Sequence, residues 1–159
     1  MRHSKWCTAC GLIIMIGSSL ALSGCAEPPA EAHARGSGPA QVEAIEGKDV
    51  SRVTLTPEAA ERIDLSTAPI VDEQVPATPG IAGASVERQV IPYAAVIYDN
   101  TGATWAYTTR EPLVYVRESI AIDYIDGDRV VLFDGPTSGT EVVTLGAAEL
   151  YGAELGLGQ

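Results

Sequence analysis

Three neighbouring aspartates, Asp123, Asp126 and Asp128, are the residues of this 159-residue sequence whose spacing first suggests a chemical site. Carboxylates grouped in this way can bind calcium or act as an acid–base pair. The spacing Asp-x-x-Asp-Gly-Asp departs from the EF-hand loop, where acids or amides alternate before the glycine. Asp126-Gly127 also suits a tight hairpin, because both residue types tolerate positive φ. The sequence therefore favours a turn here over a metal site.

The N-terminus is typical of a bacterial lipoprotein signal. Arg2 and Lys5 precede the apolar residues 11–22, and Leu22-Ser23-Gly24-Cys25 then matches a lipobox. The alternatives are an ordinary secretory signal and a transmembrane helix, but the apolar run is shorter than the ~20 residues that a membrane span needs. We predict a cleaved leader over residues 1–24 and a diacylglycerol on Cys25 that binds the lipid bilayer.

This assignment removes most groups that could do chemistry. The thiol, thioether and imidazole groups of the chain are carried by Met1, His3, Cys7, Cys10, Met15, Cys25 and His33. All of them lie in the leader, at the lipidated cysteine or just after it. Nucleophilic Ser–His or Cys–His centres and soft-metal sites need such groups on a folded scaffold. We therefore expect no enzyme activity, no cofactor and no metal.

The charge of the chain limits its partners. Ten basic and 21 acidic residues give a formal net charge of −11, and loss of Arg2 and Lys5 with the leader makes the balance more negative. Nucleic acids and anionic membrane surfaces would be repelled. A basic protein partner would be attracted by the same field.

The sequence divides into four parts. After the leader, residues 25–49 hold Cys25 and a stretch rich in Ala, Glu, Gly and Pro, which predicts a disordered tether. Residues 50–152 carry the apolar periodicity of a folded domain, and residues 153–159 are expected to form a C-terminal tail. No internal repeat is visible.

Alternating apolar residues over 112–152, with turns at Asp126-Gly127 and Asp134-Gly135-Pro136, predict an antiparallel meander. Thr56-Pro57-Glu58 predicts the start of a short helix, and Pro69 an edge strand or bulge. The predicted fold is mainly β: a single antiparallel β-roll or barrel-like domain with one short helix. The expected core consists of Val53, Leu55, Ile63, Val96, Val114, Val116, Ile120, Ile122, Val131 and Val143. Trp105 and Tyr107 are expected to pack rather than to bind a ligand.

Residues 53–67, residues 91–98 with the aromatic strand 105–107, and residues 115–150 together resemble a known domain. It is the membrane-proximal domain of periplasmic adaptor subunits, also called membrane fusion proteins, of tripartite efflux pumps. The order of the segments carries the likeness, since none is a catalytic signature. In full-length adaptors a β-barrel, a lipoyl-like domain and an α-helical hairpin separate the first two segments. Here only residues 72–90 do so, which indicates a truncated, lipoprotein form.

The resemblance implies docking against a membrane transporter or another envelope protein. We expect the contacts on the hairpins at residues 110–124 and 134–140, with Arg110, Arg117 and Ser138 facing the partner. The protein would be lipid-anchored in a cell membrane and face the periplasm or cell exterior. A small-ligand-binding lipoprotein is the alternative, and it would need a concave, partly apolar pocket. An envelope hydrolase is the least favoured class.

The lipobox generates the first testable prediction. Replacing the thiol in Cys25→Ser should block lipidation, because a hydroxyl does not accept the diacylglycerol, and unprocessed precursor should accumulate. Mass spectrometry and fatty-acid labelling of the wild type and of a Ser23→Ala control, which keeps a small residue before the cleavage site, measure this. Lipid labelling that persists in Cys25→Ser would contradict the assignment.

Overall fold

The computed structural model describes residues 38–81 and 83–157, so that the leader, Cys25 and the first part of the tether lie outside it. The described chain is mainly β, as predicted, with two antiparallel sheets and no closed barrel. Its elements are β1 (Ala40–Ala44), β2 (Ser51–Leu55), α1 (Pro57–Arg62), β3 (Ser66–Pro69), β4 (Val71–Pro76), β5 (Ser85–Pro92), a 3-10 turn (Tyr93–Ala95), β6 (Ile97–Tyr98), β7 (Thr104–Glu111), β8 (Val114–Ser119), β9 (Ala121–Asp126), β10 (Arg129–Asp134), β11 (Glu141–Leu145) and α2 (Ala147–Glu154).

The two sheets are joined at two places where a strand of one sheet is followed almost directly by a strand of the other. The larger sheet has the order β1-β2-β8-β7-β11-β3, with β6 paired to β7, and the smaller sheet has the order β4-β5-β10-β9. A single residue separates β3 from β4 and β8 from β9, namely Ile70 and Ile120. Both isoleucines are buried in the apolar cluster between the sheets. The two sheets therefore meet along an apolar core that contains both of these isoleucines.

The larger sheet has two different faces. On one face, residues such as Val53, Tyr107 and Tyr115 pack against α1 and α2. On the other face, Ala106 and Val142 pack against the smaller sheet. Strands β2 and β8 contribute no residue to that inter-sheet cluster, so their part of this second face is left outside it. That uncovered part, with Val114 and Val116, forms the floor of a groove.

Helix α1 begins and ends with recognisable caps. The Thr56 hydroxyl accepts the amide of Ala59 at 3.1 Å, and Pro57 occupies the first turn, as the sequence predicted. At the other end Asp64 adopts φ +49, and the Leu65 amide donates to the Ala60 carbonyl at 3.0 Å. This is a Schellman motif, in which an aspartate holds the left-handed position usually taken by glycine.

The secondary structure extends beyond the predicted 50–152 on both sides. Strand β1 lies inside the stretch predicted as a disordered tether and pairs antiparallel with β2, placing Val42 opposite Val53. Helix α2 continues to Glu154, within the predicted tail, and is a second helix where one was expected. The prediction for β1 was wrong because backbone pairing with β2 stabilises a strand that has few large apolar side chains.

The predicted core is confirmed in part. Five of its members are buried, namely Val53, Leu55, Ile120, Val131 and Val143. Strand β8 is different: Tyr115 and Arg117 are its buried residues, and Val114 and Val116 lie on the uncovered face. A charged residue can occupy the inner face only because its charge is matched there. Pro69 ends the edge strand β3, as its missing amide donor predicted.

The predicted hairpin at Gly127 is confirmed by its φ of +64. Gly127→Val should destabilise the domain by more than ~1 kcal/mol, because a β-branched residue is strained at positive φ. An added Cβ meets nothing within 4 Å there, so the cost isolates the backbone. Gly152→Ala is the control. The added Cβ also meets nothing within 4 Å there, but Gly152 lies in the right-handed helix α2, where a side chain causes no backbone strain. Equal denaturant midpoints for both variants would contradict the strain argument.

Candidate functional site

A buried ion pair joins β8 to α2. Arg117 Nε lies 3.2 Å from Glu154 Oε2, and Arg117 Nη2 lies 3.2 Å from Glu154 Oε1. The two side chains are only 8% and 4% exposed. Such a bidentate contact matches the planar guanidinium to the carboxylate and fixes both in position.

Each oxygen of the Glu154 carboxylate also accepts a second hydrogen bond. The Ser51 amide donates to Oε1 at 3.0 Å, and the Tyr107 hydroxyl donates to Oε2. Burial raises the pKa of Tyr107, and its hydrogen bond to Glu154 raises it further. The phenol therefore remains a donor throughout the neutral pH range. Every partner of Glu154 thus comes from the larger sheet, and the carboxylate ties α2 to β2, β7 and β8.

Two aromatic rings hold the guanidinium of Arg117. Its Cζ lies 4.4 Å from the centroid of the Trp105 ring and 5.3 Å from that of Tyr151. The Trp105 indole in turn donates from Nε1 to Asp99 Oδ2 at 3.0 Å. The Thr101 hydroxyl, Trp105 and turn amides hold the pKa of Asp99 down to about 2. The turn after β6 thereby positions the ring against which Arg117 stacks.

A groove lies on the face of the larger sheet opposite the helices, and we call it the sheet groove. Its volume is about 970 Å³, and it is open to solvent. Val114 and Val116 contribute apolar floor, and the chain between β1 and β2 and the residues after β10 form its sides. It is bordered by Ile45, Lys48, Asp49, Val50, Arg52, Trp105, Thr108, Arg110, Glu111, Val114, Val116, Arg117, Glu118, Ser119, Asp134, Gly135 and Pro136.

The sheet groove differs in charge from the rest of the molecule. Its lining carries Lys48, Arg52 and Arg110 against four acids, while the charge of Arg117 is already paired with the buried Glu154. The chain as a whole has 21 acidic residues and ten basic ones, so the groove is nearly balanced in charge whereas the whole chain is strongly negative. An anionic or dipolar group is therefore repelled less at this groove than elsewhere on the protein.

The structure places Arg110 and Ser138 differently with respect to the groove. Arg110 borders it, with a side chain that is 69% exposed and an Nη2 that lies 3.4 Å from Glu118 Oε1. Ser138 lies on the connection between β10 and β11, where its hydroxyl donates to Asp72 Oδ1 at 2.5 Å. Gln89 Nε2 donates to the carbonyl of Pro136 at 2.7 Å. Ser138 thus helps to hold the groove wall in place, without bordering the groove itself.

Arg117 was predicted to face a partner, and its burial corrects that prediction. The sequence signal was ambiguous because the arginine lies in an apolar strand, where either an exposed or a paired charge is possible. Its counter-ion, Glu154, was assigned to a tail. The one local sign of a helix there is Gly156, whose amide donates to the Ala153 carbonyl at 3.0 Å in a second Schellman motif.

Asp123, Asp126 and Asp128 form no shared site. Asp126-Gly127 is a hairpin turn, and Asp123 Oδ2 lies 3.6 Å from Arg88 Nε. Across residues 38–81 and 83–157, no group of three or more His, Cys, Asp or Glu side chains is placed to hold a metal ion. Among the residues that the structure describes, no helix is sufficiently long and apolar to span a membrane.

Comparison of the chain with protein-family models, with curated proteins and with solved structures gives no match. The resemblance to efflux adaptor domains therefore remains a prediction from the sequence.

The ion pair generates a stability prediction. Arg117→Met should lower the free energy of unfolding by roughly 3–5 kcal/mol, because it leaves the Glu154 carboxylate buried without its counter-charge. Arg117→Met with Glu154→Leu should cost much less than the sum of the single changes, since it removes both charges. Urea denaturation measures each variant.

Arg110→Met is the matched control for that experiment, because its ion pair with Glu118 is exposed. It should change stability by no more than about 1 kcal/mol. Equal losses for Arg117→Met and Arg110→Met, or additive costs in the double variant, would show that the buried pair is not coupled as its geometry indicates.

Proposed function

We propose that this protein is a lipid-anchored interaction module of the cell envelope that docks on a membrane transporter or another envelope protein. It has no enzyme activity of its own. The observation that carries the proposal is the sheet groove, a concave, nearly charge-balanced surface on a strongly acidic molecule. The lipobox at Cys25 and the adaptor-like order of segments support the location and the kind of partner.

The lining of the groove favours a polypeptide over a small molecule. Eight of its 17 bordering residues are charged. Small-molecule sites are mostly apolar, with a few polar groups, and they enclose most of the ligand. A solvent-exposed surface with charges of both signs around a short valine floor instead resembles a protein contact with a polar rim. The exposed Arg110 lies where a partner side chain could replace its contact with Glu118.

The predicted anchor lowers the affinity that such a contact needs. A lipid on Cys25 and a tether would hold the domain near membrane proteins at high effective concentration. Modest intrinsic affinity is then sufficient, and the acidic field would speed encounter with a basic surface. Raising the ionic strength should accordingly slow association more than it speeds dissociation.

A second candidate is a small-ligand-binding lipoprotein, which the groove volume favours. About 970 Å³ lies within the ~300–1,000 Å³ usual for ligand sites. This function predicts a specific small molecule that raises the melting temperature of the wild type and fails to do so for Val116→Glu, which places a carboxylate on the groove floor.

Crosslinking in intact cells tests the proposed function. Photoreactive residues are placed at Arg110, at Glu111 and, as a control, at Ile81, which is 61% exposed and lies in the β4–β5 loop outside the groove lining. We expect the two groove positions to capture one membrane protein that Ile81 does not. Scattered capture at equal yield from all three positions would contradict docking through the groove.

A further inference from the structure

The carboxylate of Glu118 is held in a fixed orientation on the groove side of β8. Thr108, which lies opposite Val116 on the neighbouring strand β7, is only 3% exposed, and its hydroxyl donates to Glu118 Oε1 at 2.7 Å. The Val116 carbonyl lies farther from that hydroxyl, at 3.2 Å. Hydrogen bonds to a charged acceptor are stronger than those between neutral groups. A buried hydroxyl therefore orients this carboxylate, whose side chain is 34% exposed.

The counter-ion of Glu118, Arg110, is held much less firmly. Its side chain is 69% exposed, and it approaches the carboxylate through a single nitrogen, with Nη2 at 3.4 Å from Oε1. Exposed ion pairs contribute little to stability, because water and salt screen the charges and two long side chains lose conformational entropy. Arg110 can therefore leave Glu118 at small cost when another cation takes its place.

The second carboxylate oxygen of Glu118 is turned toward a partly apolar surface and has capacity for a ligand. In the described part of the chain, no group donates a hydrogen bond to Oε2. An ionised carboxylate has about four acceptor sites, so Thr108 alone leaves most of them unused. Side chains alternate along a strand, which places Val114 and Val116 on the same face of β8 as Glu118, and all three border the groove.

The charges of the groove lining that are not already paired favour a basic ligand. All three arginines of the lining are engaged in ion pairs, with Glu118, with the buried Glu154 and, outside the lining, with Glu43. Three carboxylates and one ammonium group of the lining form no ion pair within the described chain: Asp49, Glu111, Asp134 and Lys48. A surplus of carboxylates attracts a cation and repels an anion.

We propose that Glu118 determines the specificity of the sheet groove by binding an arginine side chain of the partner protein. The guanidinium displaces Arg110 and donates to both oxygens of Glu118. Its methylene groups lie on Val114 and Val116, as long basic side chains often cover apolar surface. A planar guanidinium suits the site because it can bond two carboxylate oxygens at once, whereas an ammonium acts as a point charge. This proposal rests on the proposed docking function and names the chemistry that the groove recognises.

Titration of the full chain with short peptides tests the proposal. The probe is acetyl-Val-Arg-Val-amide, and its control carries citrulline, which has the shape of arginine without its charge. NMR signals of the Val116 methyl groups report binding in the groove, and those of Val71, 40% exposed on β4, report unspecific binding. We expect the arginine peptide to shift the Val116 signals with at least about tenfold higher affinity than the citrulline peptide. Equal affinity of the two peptides overturns the proposal.

Two variants with the same change of charge separate a specific site from the general acidic field. Glu118→Gln keeps an acceptor for the Thr108 hydroxyl but removes the charge, and it should weaken the arginine peptide about tenfold or more. Glu111→Gln removes a charge from the same groove and should weaken it only slightly, because exposed charges are screened. Equal weakening by both variants overturns the proposal. If Glu118→Gln fails to fold, the comparison of arginine with citrulline on the wild type decides.

Displacement of Arg110 predicts the opposite effect for an arginine of the groove. Arg110→Met removes the competing guanidinium, so the arginine peptide should bind about two- to fivefold more tightly. Arg52→Met is the matched control, since it removes the same charge but is paired with Glu43, and it should tighten binding less. Weaker binding to Arg110→Met, or equal tightening by both variants, overturns the displacement.

Crosslinking in intact cells separates this proposal from the function on which it rests. With the photoreactive residue at Glu111, loss of the captured protein in the Glu118→Gln background supports recognition through Glu118. Unchanged capture in that background overturns recognition through Glu118 and leaves docking through the groove intact. Failure to capture any protein without Glu118→Gln counts against the docking function, and the peptide measurements still decide whether Glu118 binds a guanidinium.

Discussion

The ion pair between Arg117 and Glu154 is the interaction on which the arrangement of the larger sheet depends. Taking two charges out of water costs several kcal/mol per ion unless geometry and extra hydrogen bonds compensate. Here a bidentate contact, the Tyr107 hydroxyl, the Ser51 amide and two flanking rings supply that compensation. Because Arg117 occupies the inner face of β8, strand alternation places Val114 and Val116 on the opposite face. The apolar floor of the sheet groove is thus a consequence of the buried pair.

Local patterns in the sequence were sufficient to predict much of the fold. The Thr56 cap, the turn at Gly127 and the edge position of Pro69 each depend on residues close in the chain, and the structure bears them out. Such features follow from backbone sterics and local hydrogen bonds, so a single sequence contains them. Alternation also located strands β8 to β11, but the predicted meander is wrong: β8 and β9 lie in different sheets, and β11 pairs with β7 and β3 instead of β10.

The features that could not be predicted from the sequence depend on contacts between residues far apart in the chain. Which face of β8 turns inward depends on Glu154, which is 37 residues from Arg117. Strand β1 contains mostly small or polar residues, and only its ladder with β2 makes it a strand. The wall of the sheet groove depends on Ser138 reaching Asp72, 66 residues away. These contacts become visible only after the two sheets are assembled, and they include most of what defines the candidate site.

The single-residue crossings at Ile70 and Ile120 determine how this protein can respond to a ligand. Hinge motions need a few residues that can absorb a change in φ and ψ, but each crossing side chain is packed into the cluster between the sheets. Opening one sheet against the other would expose that cluster and break two strands at once. The body should consequently behave as a preformed receptor, with its groove shaped before any encounter. The bound molecule, and not this protein, would then have to change its conformation on binding. Most of the conformational entropy lost when the complex forms would accordingly be lost by the bound molecule.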